Sequence, residues 1–209
     1  MRLATAAVLM LALLPTSPAL AQSTPAPAAP ASCDARAANL GGIGRASVVA
    51  FTGPVLGARV CATVANLASD TFTARIADAA PADALVAAAL TGEPGTAALP
   101  FDGATAVGRY VIAPPGTIPS FNGEITEAPR VVVAFAGSRV LVIGTTPVAL
   151  VDLARELRDQ PDLFGADAIE RAVLIATGPN AALSLHTADG IVGAASVSTA
   201  KVLFFIKRG

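Results

Sequence analysis

The only histidine of the chain, His186, is the candidate base for a hydrolytic triad. Such a triad would also need a nucleophilic serine and an acid. No GxSxG segment, which presents the serine of many hydrolases on a sharp turn, occurs in the sequence. His186 instead alternates with Leu185 and Thr187 in an apolar run that is typical of a strand. We therefore interpret it as a structural or surface histidine.

Metal and cofactor chemistry has little support in the sequence. With one histidine and no CxxC or HxxxH spacing, the chain lacks the usual ligand patterns, and we predict no metal site and no cofactor. The cluster Gly41-Gly42-Ile43-Gly44 invites comparison with a phosphate-binding loop. It has neither a GKS or GKT ending nor a full GxGxxG, so we interpret it as a turn.

The first residues are typical of a signal peptide. Arg2 supplies the positive start, residues 3–14 form an apolar run too short to span a bilayer, and Ala19-Leu20-Ala21 fits the small-x-small cleavage rule. We predict cleavage after Ala21, and hence a periplasmic or extracellular protein. The alternative is an uncleaved anchor. The Pro/Ala-rich stretch 22–32 is predicted to be a disordered spacer, and residues 33–209 to form a single domain.

The chain has two cysteines, Cys33 and Cys61. Because export would bring them into an oxidising compartment, we predict that they form one disulfide bridge. The bridge would tie the mature N-terminus to an early strand and contribute about 2–4 kcal/mol of stability. Two buried thiols, or pairing between molecules, are the alternatives.

The composition excludes some classes of partner. The net charge of the 209-residue chain is −1 and the charges are not clustered, so we predict no nucleic acid or acidic membrane surface as a partner. Apolar residues make up 54% of the chain and charged residues 14%, which implies extensive burial or an apolar surface that meets a partner. Beyond the N-terminus no apolar run reaches 18 residues, so the mature chain should have no transmembrane helix.

The most strongly patterned stretch is 130–160. Two valine-rich runs, 130–136 and 139–144, flank Gly137-Ser138 and predict a tight hairpin of buried strands. Thr145-Thr146-Pro147 then resembles a helix start, and apolar residues recur at helical spacing through Leu157. The sequence thus predicts a β-β-α unit whose helix lies on a sheet.

The rest of the chain is predicted to be rich in strands. A second helix is expected at 81–90 and a further helical turn within 162–170. Strands are expected at 46–52, 58–66, 71–77, 107–113, 172–177, 181–187 and 200–206. These elements favour an α+β class, with a mixed or mostly antiparallel sheet and two or three covering helices.

Four short segments carry a resemblance to a known family. They are Asn122-Gly123-Glu124-Ile125; Pro129-Arg130 with the valines that follow; Ser138-Arg139 with its strand and the helix 151–159; and 173–178 followed by Ala181-Ala182-Leu183. In order and type they resemble the secreted phosphodiester glycosidase family, which includes the uncovering enzyme that removes N-acetylglucosamine from a phosphodiester. The resemblance implies that fold, and a glycan or sugar phosphodiester as the partner.

The resemblance also implies where a site should lie. The family's "LDGG" strand end falls on residues 175–178, so its aspartate corresponds to Ala176 and one of its glycines to Thr177. Alanine can neither ionise nor accept a hydrogen bond with its side chain. We therefore expect a catalytically degenerate site with Asn122, Thr177, Gly178 and Asn180 as its binding residues.

Replacement acids would restore catalysis, since glycosidic cleavage commonly uses two carboxylates about 5–10 Å apart. The candidates are Glu124 and Asp152, with Glu127 nearby in sequence. For Asp152 the ordinary alternative is a surface salt bridge with Arg155 or Arg158.

Three hypotheses remain open from the sequence. The first is an exported binding protein of the envelope, and the second is an active hydrolase of sugar phosphodiesters that uses replacement carboxylates. The third is a periplasmic scaffold or inhibitor unrelated to the family.

Overall fold

The computed structural model describes residues 36–39, 48–57, 59–91, 95, 97–101, 107–121, 125–187, 190–193, 197, 199 and 201–208. Several sequence predictions lie outside these residues. They are the signal peptide 1–21, the spacer 22–32, Cys33, the glycine cluster 41–44, and the pair Asn122 and Glu124.

Strands dominate the described chain. They are β1 (Arg36–Asn39), β2 (Val48–Val55), β3 (Val60–Ala68), β4 (Phe72–Ala77), β5 (Val86–Leu90), β6 (Arg109–Ile112), β7 (Ala128–Ala136), β8 (Arg139–Val148), β9 (Arg171–Thr177), β10 (Leu183–Thr187), β11 (Gly190–Gly193) and β12 (Lys201–Lys207). One α-helix, α1 (Leu150–Asp159), follows β8, and two short 3₁₀ turns span Pro161–Phe164 and Gly178–Asn180.

The strands form two sheets in which every described pairing is antiparallel. The first has seven strands in the order β1-β2-β3-β8-β7-β9-β6, and the second has five in the order β11-β10-β5-β12-β4. The two sheets share one apolar core, which contains Val131, Val133 and Phe135 of β7 and Leu203 and Phe205 of β12.

The predicted α+β class with two or three covering helices is wrong. The described residues contain a single α-helix, and the architecture is mostly antiparallel β. The main error lies at 81–90, which was expected to be a helix. Its second half is β5, a strand that pairs with β10 on one side and β12 on the other.

The physical reason is that β5 is buried on both faces, so its apolar residues show no alternation. Its centre is three consecutive alanines, Ala87 to Ala89. Alanine favours a helix in isolation, but pairing with two neighbouring strands outweighs that weak preference. Other predicted strands agree with the structure to within about four residues at either end, whereas β1 and β11 were not foreseen.

The central hairpin is confirmed. Strands β7 and β8 pair along their length through the turn Gly137-Ser138. Gly137 has φ +56°, in the left-handed region that favours glycine. Along β7, Val131, Val133 and Phe135 face the second sheet, while Val132 and Ala134 face the opposite side.

Helix α1 lies on that opposite side, as the β-β-α pattern predicts. Its apolar face, Leu150, Leu153, Ala154 and Leu157, is buried in a second core with Val132 and Ile143. Full burial of each leucine contributes about 1.5–3 kcal/mol. The α1 helix is far too short and polar to cross a membrane, and no other described helix is longer.

The helix start predicted at Pro147 is three residues too early, because α1 begins at Leu150. The N-cap is Ala149, and it makes no side-chain capping bond. Residues 145–148 instead extend β8, because Thr145 pairs with Ala62 of β3 and with Arg130 of β7. Strand pairing therefore outweighs the preference of Thr145 and Thr146 for the start of a helix.

Candidate functional site

The strand end at which the sequence analysis expects a site is the end of β9. Ala176 is fully buried there, and Thr177 lies directly opposite Arg130 of β7. Gly178 then begins the 3₁₀ turn with φ +77°, a conformation that glycine adopts without steric cost. The chain turns sharply at this point and leads into β10.

Arg130 joins three strand ends at this edge. The side chain is buried, with 6% of its surface exposed. Nη1 donates to Thr177 Oγ1, Nη2 donates to the Thr126 carbonyl oxygen at 2.9 Å, and Nε donates to the Val148 carbonyl oxygen at 3.4 Å. The planar guanidinium is thus held in one orientation by oxygens at the ends of β7, β8 and β9.

Beside Arg130 the surface has a hollow of about 210 Å³. We call it the Arg130 hollow. It lies at the ends of β3, β7 and β8, and the segment between Gly178 and β10 forms its other wall. Its described lining consists of Cys61, Thr63, Arg130, Val131, Gly144, Thr145, Thr146, Ala181, Ala182 and Leu183.

The polar groups of the Arg130 hollow are one guanidinium and three threonine hydroxyls. Thr146 Oγ1 accepts a hydrogen bond from the Cys61 backbone N–H at 3.0 Å. Thr145 Oγ1 is buried and makes no hydrogen bond within the described part of the chain. A buried hydroxyl without a partner costs about 1–3 kcal/mol. No carboxylate belongs to the described lining.

Of the binding residues expected from the sequence, Thr177, Gly178 and Asn180 are described, and none of the three belongs to the described lining of this hollow, whereas Asn122 lies outside the described residues. Thr177 and Gly178 are half-buried, and Asn180 is exposed in the 3₁₀ turn. Thr177 is fixed by Arg130 and by its own N–H, which donates to Thr91 Oγ1 at 3.3 Å. The turn brings Ala181 and Ala182, rather than Asn180, into the lining.

Of the candidate acids, Asp152 lies on the polar face of α1 and does not line the Arg130 hollow. Its carboxylate is 3.7 Å from Arg155 Nη1, and both side chains are largely exposed. This is the surface salt bridge that the spacing allows. Glu127 is exposed just before β7, and Glu124 is outside the described residues.

His186 and Cys61 also have defined places. His186 is half-buried on β10, and its backbone N–H donates to the Leu85 carbonyl at 2.9 Å. Cys61 is half-buried on β3, and the described chain contains no free cysteine. Because Cys33 lies outside that part, the Cys33–Cys61 bridge stays a prediction. Among the described residues no group of three or more histidine, cysteine, aspartate or glutamate side chains is placed to hold a metal ion.

Arg130 is the functional candidate that sequence reasoning missed. The signal was present as the Pro129-Arg130 pair at the start of a valine-rich strand. An arginine at the edge of such a run is ordinarily exposed. Its burial depends on Thr126 and Thr177, and sequence spacing alone does not show that these residues meet.

Comparison with known proteins gives a fold likeness. No family model matches the chain, and no curated protein matches it. Among solved structures it is similar to the catalytic domain of zebrafish N-acetylglucosamine-1-phosphodiester alpha-N-acetylglucosaminidase, in a form auto-inhibited by its pro-peptide. The TM-score is 0.50 at 10% identity, and the match covers 84% of this chain and 88% of that one. At this identity the likeness shows a phosphodiester-glycosidase-like fold and does not show membership of the family.

Proposed function

We propose that the protein is an exported binding protein that recognises a glycan or sugar phosphodiester in the Arg130 hollow without cleaving it. The observation that carries this proposal is the chemistry of the described lining. It combines a buried, oriented guanidinium with threonine hydroxyls and contains no carboxylate.

These groups suit a ligand that has both a phosphate and hydroxyls. A guanidinium recognises phosphate oxygens through charge-assisted hydrogen bonds, and threonine hydroxyls can donate to or accept from sugar hydroxyls. Thr145 offers a buried hydroxyl that has no hydrogen bond elsewhere in the described chain. The fold likeness to a phosphodiester-cleaving domain supports the same ligand class.

The absence of cleavage in this proposal follows from acid–base chemistry. General acid and base catalysis of glycosidic cleavage commonly uses two carboxyl groups beside the scissile bond. Ala176 stands where the family motif has its aspartate, and it is fully buried. The exposed carboxylate of Asp152 is engaged with Arg155 on the polar face of α1.

Export and the disulfide belong to the same proposal. The signal-like residues 1–21 would direct the chain to an oxidising compartment. Because Cys61 lines the Arg130 hollow, a bridge to Cys33 would anchor the start of the mature chain beside the ligand. The spacer 22–32 would then end at that wall of the domain.

The test uses the mature protein, residues 22–209, with a chromogenic sugar phosphodiester and its non-chromogenic analogue. We expect saturable binding by titration calorimetry and no release of the chromophore. Turnover that is abolished by Asp152→Asn or Glu124→Gln would instead identify an active hydrolase. Binding of neither compound would favour the scaffold or inhibitor hypothesis.

A further inference from the structure

A second groove lies at the opposite end of β7 from Arg130. Two neighbouring hollows, of about 260 Å³ and 470 Å³, share Phe135 and Gly137 in their linings. We call the two together the Phe135 groove. The first hollow opens between the two sheets, and the second continues past the β7–β8 turn. Their walls include Phe72, Phe101, Val140, Arg208, Glu170 and Arg171.

The floor of the groove is a packed aromatic cluster. The ring centroids of Phe101 and Phe135 are 6.0 Å apart, and Phe101 meets Phe205 edge-on at 5.7 Å. Phe72 packs edge-on against the same Phe205 at 5.2 Å. Such contacts fix the rings, so the aromatic part of the lining is rigid, and a ligand that packs against it would immobilise few additional side chains.

Two arginines border this apolar surface. Arg208 is held at the mouth of the first hollow, because its Nε donates to the Phe72 carbonyl at 2.8 Å and its backbone N–H to the Thr71 carbonyl at 3.0 Å. Arg171 lies with its guanidinium carbon 4.2 Å from the centroid of the Phe135 ring. Neither guanidinium forms an ion pair with a carboxylate of the described chain.

The carboxylate that faces this region is that of Glu170, which lines the second hollow. Its Oε1 accepts a hydrogen bond from the Gly137 backbone N–H at 3.1 Å. Glu170 is thereby held against the β7–β8 turn. The charged side chains of the described lining are two arginines and one glutamate, so this described lining carries a net positive charge beside the aromatic rings.

We propose that the Phe135 groove binds a small anionic amphiphile. Its carboxylate or phosphate head pairs with Arg208, and its apolar tail lies against Phe72, Phe101 and Phe135. A volume near 260 Å³ is slightly below the range of about 300–1,000 Å³ that is typical of small-molecule pockets, and it suits a short tail. This site is independent of the Arg130 hollow and of the function proposed there.

The test compares three ligands on the mature protein by displacement of anilinonaphthalene sulfonate and by calorimetry. Decanoate has both the head and the tail, decanol has only the tail, and acetate has only the charge. We expect decanoate to bind about tenfold more tightly than decanol, as one charge-assisted hydrogen bond allows, and acetate not to bind. Within a carboxylate series, each added methylene should tighten binding about fourfold until the groove is filled.

Variants then assign the head group to Arg208. Arg208→Gln should reduce decanoate affinity to that of decanol and leave decanol unchanged. Arg155→Gln, on the exposed face of α1, is the matched control and should leave both unchanged. Thr145→Val at the other end of the fold should also leave decanoate binding unchanged, which separates this site from the Arg130 hollow.

Vesicles of phosphatidylglycerol and of phosphatidylcholine distinguish two sources of the amphiphile. Selective sedimentation with phosphatidylglycerol supports a lipid ligand, and decanoate binding without sedimentation supports a free one. Equal affinities for decanoate and decanol in the unmodified protein, or no effect of Arg208→Gln on decanoate, would overturn the proposal.

Discussion

Arg130 and Thr177 face each other across the pairing of β7 and β9, and the Arg130 guanidinium donates to the Thr177 hydroxyl. Because Arg130 also donates to the Thr126 and Val148 carbonyls, one buried side chain holds together the edge at which β9 ends. A polar network centred on Arg130 therefore connects the ends of the strands beside the Arg130 hollow.

This network predicts a large effect of a conservative change. Arg130→Gln should lower the free energy of unfolding by about 2–4 kcal/mol, since it removes charge-assisted donors from buried acceptors. Arg130→Lys should recover only part of that loss, because an ammonium cannot reproduce the planar fork. Urea denaturation measures both, with Arg155→Gln on the exposed face of α1 as the control.

The pairing itself is tested by a double-mutant cycle. Thr177→Val alone should cost about 1 kcal/mol, and the cycle with Arg130→Gln should give a coupling of about 0.5–3 kcal/mol. Strictly additive losses would mean that the two side chains stabilise the edge independently.

A second buried polar contact connects α1 to the β2–β3 turn. Glu156 is 7% exposed, and its Oε1 accepts from the Leu56 N–H at 2.7 Å. Leu56 has φ +52°, an unfavourable backbone conformation for leucine that the contact helps to maintain. Glu156→Ala should therefore lower the free energy of unfolding by about 1.5–3 kcal/mol.

The matched variant is Glu156→Gln, which keeps an oxygen acceptor and should cost less than half as much. Urea denaturation at neutral pH compares the two. Equal losses would show that the negative charge, rather than the hydrogen bond to Leu56, stabilises the turn.

The carboxyl group of Asp78, which forms an exposed ion pair with Lys201, should titrate at a lower pH than an ordinary aspartate. Lys201 Nζ donates to Asp78 Oδ1 at 2.6 Å, and this hydrogen bond, with the charge of Lys201, lowers the pKa of Asp78 below its ordinary value of 3.8. A lowered carboxyl pKa contributes stability above the unfolded-state pKa, and this is lost as the pH falls through the folded-state pKa.

The measurement for this pair is the titration of the Asp78 side chain followed by NMR. The midpoint should lie below 3.8 in the unmodified protein and return toward that value in Lys201→Gln. High salt should also raise the Asp78 midpoint toward its ordinary value, because both side chains are exposed and dissolved ions screen their attraction. An unchanged midpoint in Lys201→Gln would assign the lowered pKa to another cause.

The parts of the fold that the sequence predicts correctly are those that depend on local patterns. The β7–β8 hairpin and the apolar face of α1 depend on residues within about 30 positions, and both were predicted. The segment 81–90 was misread because its alanine run becomes a strand only through pairing with β10 and β12, which are about 100 residues away. Nothing local distinguishes such a run from a helix.

The site illustrates the same limit. A site at Thr177 and Gly178 is expected from the order of motifs, and in the structure the described lining of the neighbouring hollow contains Arg130, Ala181 and Ala182 instead. The contributions of Thr63 and Thr145 come from β3 and β8, and strand register brings them together with Arg130. Register is a tertiary property, so sequence spacing did not single out these threonines.

The most direct test of the proposed function is Thr145→Val, with stability and ligand binding measured on the same sample. The buried Thr145 hydroxyl has no hydrogen bond in the described chain, so its removal should raise the free energy of unfolding by about 1 kcal/mol. The same change should weaken binding of the sugar phosphodiester about fivefold or more. Ser184→Ala is the matched control, since Ser184 Oγ is also buried without a described partner but lies outside the Arg130 hollow.

We predict that Ser184→Ala stabilises the fold without changing ligand affinity, whereas Thr145→Val gains stability and loses affinity. Unchanged ligand affinity in Thr145→Val would contradict the assignment of the Arg130 hollow as the binding site.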